Sequence, residues 1–329
     1  MKHVILPIFV PHMGCPHTCV FCNQFRITGQ WQPPDESMLA AQAEAWAATS
    51  GVVPELAFYG GSFTAIDRTL QETLLASAAR LKASGQIAAI RLSTRPDALG
   101  EEVLTRLAVY GVDTVEIGVQ SLDDGVLTAS RRGHTAAQAE DAIRRVKAAG
   151  FVCGAQMMVA LPEDTPEKSL ATGKRLVALA PDLVRIYPTA VIRDTALAAA
   201  FARGDYLPWP MDTVLDTVAA LLDLFERAAI PVIRVGLQAE DNLSCGDVLA
   251  GAYHPALGEM VKARRFRRRM EALLVENELA PVQFAVAPRF LSQAIGQRRE
   301  NLHYLSERCG QPVTVVADAA ILNDTVERK

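Results

Sequence analysis

The segment Cys15-Pro16-His17-Thr18-Cys19-Val20-Phe21-Cys22 places three cysteines within eight residues, separated by three residues and then by two. An apolar run, residues 3–10, precedes it and is typical of a first β-strand. Clustered cysteines in a reducing compartment predict a metal site rather than disulfides, because thiolates bind soft metals. We expect the rest of the chain to hold this segment and to bring a substrate to it.

The charge distribution narrows the possible functions. The chain has 329 residues, half of them hydrophobic, and its net charge of −4 argues against a generally basic nucleic-acid-binding protein. Residues 262–329 carry 12 Lys and Arg against 8 Asp and Glu, which leaves a net charge of −8 before them. Any polyanion contact is therefore expected in the C-terminal part. Without a secretory leader or an apolar run of roughly 20 residues, the chain is expected to be cytoplasmic and not membrane-bound.

Strand-like and helix-like segments alternate along most of the chain. Continuous apolar runs predict strands that are buried on both faces. The predicted strands are residues 3–10, 55–63, 90–95, 114–121, 151–161, 183–192 and 230–237. Segments with helical spacing lie between them, and these include residues 37–49, 70–84, 136–149 and 167–179.

Repeated strand–helix units predict a parallel sheet. A barrel is favoured over an open sheet because there are six or seven units and because polar residues follow the carboxyl ends of the strands. No Gly-x-Gly-x-x-Gly follows the first strand, as a dinucleotide-binding fold requires. The predicted fold class is therefore α/β, with a partial parallel (β/α)6 TIM-like barrel over residues 1–238 and a small C-terminal α/β domain over residues 281–329.

The connecting segment, residues 239–280, is predicted to contain a loop over 239–253 and a helix over 255–275. The helix carries six cations, namely Lys262, Arg264, Arg265, Arg267, Arg268 and Arg269. They form either a solvated face or a polyanion contact. The small domain is predicted to contain strands 281–287 and 312–317 and short helices 290–295 and 300–309.

The three thiolates are enough to hold three irons of a [4Fe-4S] cluster and to leave the fourth iron open to a small ligand. A zinc site requires a fourth ligand. His12, His17 and His134 are candidates for it, so the residues alone leave zinc as an alternative.

The cysteine spacing, with an aromatic residue (Phe21) before the third cysteine, resembles the hallmark of the radical S-adenosylmethionine (SAM) superfamily. The resemblance implies that Cys15, Cys19 and Cys22 hold a [4Fe-4S] cluster whose open iron chelates the amino and carboxylate groups of SAM. It further implies that an electron, from a donor such as flavodoxin or ferredoxin, cleaves SAM to methionine and a 5′-deoxyadenosyl radical. That radical takes a hydrogen atom from the substrate.

Motifs at other strand ends resemble the SAM contacts of this superfamily. Gly60-Gly61-Ser62 is similar to its glycine-rich motif, although Ser62 replaces an acidic residue of many members. By the same resemblance, residues 93–97 and 118–121 approach the methionyl carboxylate and the ribose, and residues 157–162 pack on the adenine. The implied SAM contacts are Phe21, Gly60, Gly61, Ser62, Ser93, Arg95, Gln120, Ser121 and Leu161. A loop salt bridge with Asp97 is the alternative role of Arg95.

Three further residues are candidates for chemistry or substrate contact. Tyr187 is placed either to relay a hydrogen atom or to line the barrel through a hydrogen bond. Cys245 is either a thiol hydrogen donor or an inert cysteine. His134 either contacts a substrate phosphate or stabilises its loop.

Five phrases together resemble the radical-SAM domain of the Elongator catalytic subunit family, which acts on the wobble uridine of transfer RNA. They are residues 93–97, 118–124, 132–135, 157–162 and 185–189. The best-known members space their first two cysteines more widely and carry an acetyltransferase domain after the radical domain. The chain ends too soon for such a domain, so the resemblance does not by itself carry over acetyl-CoA-dependent chemistry. Bacterial anaerobic coproporphyrinogen oxidases share the cysteine spacing but not the residues before it.

Residues 291–302 resemble the helix–loop–helix of KH RNA-binding domains, whose Gly-x-x-Gly loop clamps phosphates. Gly296 matches the first glycine and Arg299 replaces the second, so Arg298 and Arg299 are expected to meet phosphates as charges. The alternative is a helical hairpin that caps the barrel. The sequence thus predicts a radical SAM enzyme that modifies RNA, with transfer RNA as its partner. The alternatives are a radical SAM enzyme acting on a small molecule such as a tetrapyrrole, and a non-catalytic iron–sulfur RNA-binding protein.

Overall fold

The computed structural model describes residues 4–10, 12–29, 32–237, 246–275 and 279–329. The strands are β1 (Ile5–Phe9), β2 (Glu55–Tyr59), β3 (Ala89–Thr94), β4 (Thr114–Gln120), β5 (Val152–Val159), β6 (Leu183–Pro188), β7 (Ala190–Ile192), β8 (Val232–Val235), β9 (Val248–Gly251), β10 (Val282–Val286), β11 (Val313–Ala317) and β12 (Val326–Arg328). The α-helices are α1 (Gln24–Thr28), α2 (Glu36–Ser50), α3 (Arg68–Ala83), α4 (Glu101–Val109), α5 (Asp124–Ala129), α6 (Ala136–Ala148), α7 (Pro166–Leu179), α8 (Ala196–Arg203), α9 (Met211–Arg227), α10 (Leu257–Glu271), α11 (Leu291–Ile295) and α12 (Glu300–Cys309). Within these ranges, no helix combines the length and apolar character needed to cross a lipid bilayer.

Seven strands form one parallel sheet in the order β1-β2-β3-β4-β5-β6-β8. Every neighbouring pair is parallel, and helices connect successive strands. A sheet whose spatial order follows the chain lacks the switch point of a doubly wound fold and curves as part of a barrel. The predicted α/β class with a partial parallel barrel is therefore confirmed.

The structure departs from the prediction after β6. The predicted strand 183–192 divides at Thr189, whose backbone N and hydroxyl both donate to the carbonyl of Val159, at 3.0 and 2.8 Å. β7 then pairs antiparallel with β9 outside the main sheet. β9 lies within the predicted loop 239–253, of which residues 239–245 are outside the described ranges. An apolar run shows burial but not chain direction, so it did not predict this bend.

Polar residues fix where the helices begin. Thr135 caps α6 by accepting from the backbone N of Gln138 at 3.2 Å, and the Gln138 side chain accepts from the backbone N of Thr135 at 2.8 Å. Thr165 caps α7, and Pro166 occupies its first turn, where an N–H would have no helical partner. These caps end the strand-to-helix loops and keep them at the carboxyl edge of the sheet.

The concave face of the sheet carries a buried network of charges. Glu116 on β4 is 2% exposed, and its Oε1 accepts from Arg91 Nη1 at 2.8 Å and from Arg185 Nη2 at 3.0 Å. The hydroxyl of Tyr59 donates to the same oxygen at 3.0 Å, and Glu55 pairs with Arg91 at 2.6 Å. The network links β2, β3, β4 and β6, which are not all neighbours, so these side chains meet across the lumen. Their desolvation is offset by their mutual pairing.

The C-terminal domain is a second, smaller α/β unit. β10 pairs in parallel with β11 and antiparallel with β12, and α11 and α12 connect β10 to β11. Its core includes Phe284, Leu302 and Leu305. The predicted strands and short helices of this part are confirmed, whereas β12 was not predicted.

Helix α10 packs against both cores. Leu257 and Val261 in its first half belong to the barrel core, and Phe266 and Met270 in its second half belong to the C-terminal core. Asn301 on α12 donates to the carbonyl of Ala263 at 2.9 Å. The two units are therefore joined along a continuous helix.

The basic residues of α10 contact other residues of the same chain. Arg264, with a side chain 6% exposed, pairs with Asp212 and Asp216 on α9, and Arg265 pairs with Asp223 at 2.7 Å. The others are also engaged: Lys262 with Glu259, Arg267 over the Tyr304 ring, Arg268 with the Asp216 carbonyl, and Arg269 with Asp324. The prediction of a solvated or polyanion-binding face is wrong for Arg264 and Arg265, because carboxylates of α9 neutralise them.

Glu116→Gln is expected to lower the free energy of unfolding by about 3–5 kcal/mol, because Arg91 and Arg185 would stay buried without their shared carboxylate. Urea denaturation followed by circular dichroism measures this. Glu102→Gln is the control: its side chain is 76% exposed and pairs with Arg68, so the loss should stay below about 1 kcal/mol. Equal losses in the two variants would contradict the assigned role of the network.

Candidate metal centre and cofactor site

The cysteine loop, residues 12–23, consists of turns and bends that connect β1 to α1 at the carboxyl edge of the sheet. Three neighbouring segments hold its backbone. The carbonyl of Met13 accepts from the backbone N of Ser62 at 3.0 Å, and Val20 donates to the carbonyl of Ser130 at 3.2 Å. The carbonyl of Val20 accepts from the first turn of α8 at 2.7 Å. Because the loop has little regular structure, these contacts decide its shape.

Two glycines let the cysteine loop and the turn after β2 approach closely. A Cβ on Gly61 would fall within 3.0 Å of the carbonyl oxygens of Met13 and Val10. A Cβ on Gly14, which has a φ of +70°, would fall within 3.0 Å of the carbonyl of Ser62. A side chain at either position would push the two segments apart. Gly61, a predicted SAM contact, therefore also sets the position of the cysteine loop.

The three thiols lie beside two buried arginines. Arg132, 6% exposed, donates from Nη1 to Cys19 Sγ at 3.1 Å, and Arg95, 3% exposed, donates to the carbonyl of Arg132. Burial, the largest cause, raises the pKa of the Cys15 thiol, as does Cys19, while Arg95 and Arg132 lower it. Burial and then the neighbouring thiols also raise the pKa of Cys22. Desolvated thiolates that repel one another are stabilised when a metal binds them.

Two arginine nitrogens at this site are buried without a hydrogen-bond partner in the described part of the chain. They are Nη1 of Arg95 and Nε of Arg132. Buried N–H groups are normally satisfied, so such donors indicate a missing acceptor. The sulfurs of an iron–sulfur cluster and the carboxylate of SAM are acceptors of the required charge. The residues present therefore fit a cluster with a bound anionic ligand.

The histidines considered as zinc ligands are engaged elsewhere. His12 Nε2 accepts from the backbone N of Gln24 at 2.8 Å, His134 Nε2 lies 3.3 Å from a β4 carbonyl, and the His17 ring lies against Gly133. Over the described ranges, no three His, Cys, Asp or Glu side chains converge as a single-ion site requires. The donors favour a cluster, in which each thiolate binds a different iron, over zinc.

Two predicted polar contacts lie on the concave face. Ser93 lies two positions after Arg91 on β3, so the two side chains point to the same face of the sheet. Gln120 ends β4 at a bulge, and its Oε1 lies 3.5 Å from Nε2 of Gln156 on β5. With a φ of +65°, Gln120 adopts a left-handed conformation that is uncommon for this residue type. Such strain is frequent at functional sites.

Two other predicted contacts have side chains that stabilise turns. The hydroxyl of Ser62, 0% exposed, lies 3.0 Å from Thr94 Oγ1 and accepts from the backbone N of Arg95 at 3.3 Å. The hydroxyl of Ser121 lies 3.4 Å from Thr172 Oγ1 on α7, on the outer side of the sheet. Their role as SAM contacts stays a prediction, and it rests on their backbone groups.

An apolar wall stands next to the thiols. It consists of Phe21, Val126, Met158, Leu161 and Tyr187, which pack as one cluster. Phe21 and Leu161 are thus brought together although 140 positions separate them in the chain. The wall suits the predicted adenine contact, because an apolar surface excludes water and packs on a ring.

Of the two residues predicted to take part in the radical step, Tyr187 is described. Its hydroxyl lies 3.4 Å from Arg185 Nη1 at the edge of the lumen. Relay of a hydrogen atom and lining of the barrel both stay predictions for it. Cys245 lies outside the described residues.

Residues 9–175, about half of the chain, match the Radical SAM superfamily. The chain belongs to the radical SAM superfamily. Residues 181–267 match the Radical SAM C-terminal domain, which in this radical SAM protein extends from before β6 into α10. Members of the superfamily are enzymes, and membership implies SAM and a [4Fe-4S] cluster as cofactors.

This radical SAM protein is similar to Elongator-type proteins, as its motifs predict. It is 26% identical over 278 residues to the tRNA uridine(34) acetyltransferase of Dehalococcoides mccartyi, and this match covers 71% of this chain and 61% of that protein. It is 32% identical over 178 residues to Elongator complex protein 3 of Danio rerio, a match that covers 53% of this chain and 32% of that protein. The structure of archaeal Elp3 from Methanocaldococcus infernus matches 85% of this chain and 66% of its own, with a TM-score of 0.63 and 19% identity. The chain thus spans less than two thirds of the length of these two curated relatives.

Sequence reasoning missed the contact of Arg132 with the thiols and the charge network around Glu116. Charged residues at single positions inside apolar strands, such as Arg91 and Glu116, were an available signal, because strands buried on both faces tolerate charges only where they pair. No local pattern connects Arg132 with Cys19, since they are 113 positions apart.

Gly61→Ala is expected to lower the iron content after anaerobic reconstitution several-fold, because the added Cβ displaces the cysteine loop. Iron and sulfide analysis per chain measures this. Gly100→Ala is the matched control, since a Cβ there meets nothing within 4 Å. Equal cluster loading in both variants would show that this close approach does not position the loop.

His134 fits loop stabilisation better than phosphate contact. It is 5% exposed, and burial, followed by Arg132 and Arg95, lowers its pKa to about 4. The ring is therefore neutral at pH 7. An unfolded histidine binds a proton near pH 6.5 whereas the folded ring resists it, so its contribution destabilises the fold as pH falls from about 6.5 towards 4.

His134→Gln is expected to lose less thermal stability than the parent protein between pH 7 and pH 5, because the variant lacks this proton uptake on unfolding. Thermal unfolding at the two pH values measures it. His303→Gln, which changes an exposed histidine, should follow the parent. A His134→Gln variant with the parent's pH dependence would contradict the lowered pKa.

Proposed function

We propose that this protein reductively cleaves SAM at a [4Fe-4S] cluster held by Cys15, Cys19 and Cys22 and uses the resulting 5′-deoxyadenosyl radical to modify RNA, with a transfer RNA base as substrate. The observation that carries the cofactor part is the pair of buried arginines, Arg95 and Arg132, because Arg132 donates to Cys19 and each arginine keeps one buried nitrogen without a partner among the described residues. When bound, the cluster and SAM supply one-electron bond cleavage, and the protein supplies binding, orientation and the exclusion of water.

Different residues of the chain are proposed to bind different parts of SAM. The backbone of residues 60–62 is proposed to bind the amino group of SAM, since the turn lies against the cysteine loop. Arg95 is proposed to bind the carboxylate through Nη1, and Ser93 and Gln120 to face the ribose. The apolar wall around Phe21 is proposed to seat the adenine and to keep water from the reacting centre.

Two residues are proposed for the radical step. Tyr187 belongs to the apolar wall, and its hydroxyl lies 3.4 Å from Arg185 Nη1 on the lumen side, where we propose that a substrate meets SAM. It is the candidate for hydrogen-atom relay. Cys245 is the candidate for a thiol hydrogen donor, and the proposed electron donor is a flavodoxin or ferredoxin.

An RNA substrate is supported by the relatives and by the C-terminal domain. Similar proteins from Dehalococcoides mccartyi and Methanocaldococcus jannaschii carry the name tRNA uridine(34) acetyltransferase. In this chain, Arg298 and Arg299 project into solvent from the loop between α11 and α12, with φ of +49° and +65°. No carboxylate of the described residues pairs with either guanidinium, in contrast to the cations of α10. Two free cations on a helix–loop–helix suit contact with phosphates.

The position of this loop also suits a shared substrate. Gln293 on α11 donates to Glu259 in the first turn of α10 at 2.9 Å. α10 begins beside Gly236, just beyond the carboxyl end of β8. The helix that leads into the loop with Arg298 and Arg299 thus contacts α10 near the carboxyl edge of the sheet, and this supports a substrate that reaches both the loop and the cysteines.

Anaerobic reconstitution with iron and sulfide, followed by SAM and a strong reductant, is expected to yield 5′-deoxyadenosine. A transfer RNA fraction should raise its rate several-fold, as measured by liquid chromatography and mass spectrometry. Cys19→Ala should abolish the product, whereas Cys309→Ala, outside the cysteine loop, should retain it. Stimulation by a porphyrinogen but not by RNA would favour the small-molecule alternative. A loaded cluster without 5′-deoxyadenosine would favour a non-catalytic iron–sulfur RNA-binding protein.

The double substitution Arg298→Ala and Arg299→Ala is expected to weaken transfer RNA binding about tenfold and to reduce the slope of log affinity against log salt by about 1.5, as the loss of two phosphate contacts predicts. Fluorescence anisotropy at several salt concentrations measures both. Arg144→Ala is the control, because that exposed residue on the outer helix α6 pairs with Glu140. Unchanged affinity and slope in the double variant would remove this loop from the RNA contact.

A further inference from the structure

The three proposed cluster ligands have different electrostatic surroundings. Cys19 is 7% exposed and accepts a hydrogen bond from a charged donor, Arg132 Nη1, at 3.1 Å. Cys15 and Cys22 are half-buried, and no charged donor among the described residues lies within hydrogen-bonding distance of either sulfur. A hydrogen bond from a cation is stronger than one from a neutral donor, so Cys19 is the ligand most affected by its surroundings.

Arg132 is held rigidly in this position. Its Nη2 donates to the carbonyl of Gly118 on β4 at 2.6 Å, and its own carbonyl accepts from Arg95. Arg95 is in turn fixed by Asp97, with distances of 2.9 and 3.0 Å from Nε and Nη2 to the two carboxylate oxygens. Because both arginines are almost fully buried, neither guanidinium is free to leave the site for solvent.

The two arginines differ in charge compensation. Asp97 neutralises Arg95, whereas no carboxylate among the described residues pairs with Arg132. The unpartnered Nε of Arg132 adds a second buried donor. Water screens a buried charge poorly, so the positive charge of Arg132 interacts with Cys19 more strongly than it would at the surface.

We propose that Arg132 raises the reduction potential of the cluster through its hydrogen bond to Cys19. The cluster gains one electron from a low-potential one-electron reductant, passing from the 2+ to the 1+ state, and no bond breaks. Its added negative charge is stabilised by the buried guanidinium, because hydrogen bonds to the sulfurs and local net charge set such potentials. Arg132 is thus a potential-setting residue that acts through Cys19. The inference rests on the proposed [4Fe-4S] cluster.

A redox titration of the reconstituted full-length protein, followed by electron paramagnetic resonance without SAM, tests this. Arg132→Gln should reduce the ratio of reduced to oxidised cluster at a fixed potential about tenfold, a downward shift of about 59 mV for one electron. Arg132→Lys keeps the charge and should shift less. Asp97→Asn leaves the charge of Arg95 uncompensated and should shift the midpoint upward. Midpoint shifts of opposite sign in the Arg132→Gln and Asp97→Asn proteins distinguish an electrostatic effect from a general disturbance of the site.

Arg131→Gln is the matched control, because Arg131 is the adjacent arginine but is exposed, and water screens its charge. Its midpoint should equal that of the parent. An Arg132→Gln protein with a full cluster and an unchanged midpoint would overturn the proposal, as would shifts of the same sign in the Arg132→Gln and Asp97→Asn proteins. If the Arg132→Gln protein loads no cluster, the midpoints of the Arg132→Lys and Asp97→Asn proteins decide whether the proposal holds. A parent protein that takes up no cluster would instead refute the proposed function.

Discussion

The close approach of the cysteine loop to the turn after β2 is the constraint on which the site depends. The loop has little regular structure, so its position depends on backbone hydrogen bonds to other segments, namely the turn after β2, the end of α5 and the start of α8. Gly14 and Gly61 permit the backbone-to-backbone packing that brings the first two segments together. The thiols are therefore placed by the order of strands in the sheet, since β1 and β2 must be neighbours for the packing to occur.

The concave face of this sheet differs from an ordinary hydrophobic core. Glu116 is shared by Arg91 and Arg185 and ties together β3, β4 and β6 in a region almost without solvent. Burying such charges is costly unless all partners are present, so the network tolerates one arrangement of the strands. Closer to the carboxyl edge, the polar side chains are less completely paired. Ser93 and Gln120 lie there, and the buried donors of Arg95 and Arg132 point to an acceptor outside the described chain.

Helix α10 and the C-terminal domain together show why positive charge in a sequence does not by itself mark a polyanion site. Helix α10 carries a dense run of cations, yet Arg264 and Arg265 bind carboxylates of α9 and fasten the small domain to the barrel. Arg298 and Arg299, fewer and less conspicuous, are the ones left in solvent. Charge is available to a partner only where the fold has not already neutralised it.

Local patterns were enough to predict the parallel α/β barrel, strands β10 and β11 of the small domain and the cysteine loop. Apolar runs, helix caps and ligand spacing are properties of residues that are near one another in the chain. The bend at Thr189 and the pairing of β7 with β9 were not predictable this way, because burial alone does not encode chain direction. Only the tertiary structure decided which charge meets which partner, as in the contacts of Arg132 with Cys19 and of Arg264 with Asp216. An ion pair or charged hydrogen bond needs its atoms within about 4 Å, and only folding brings such distant positions that close.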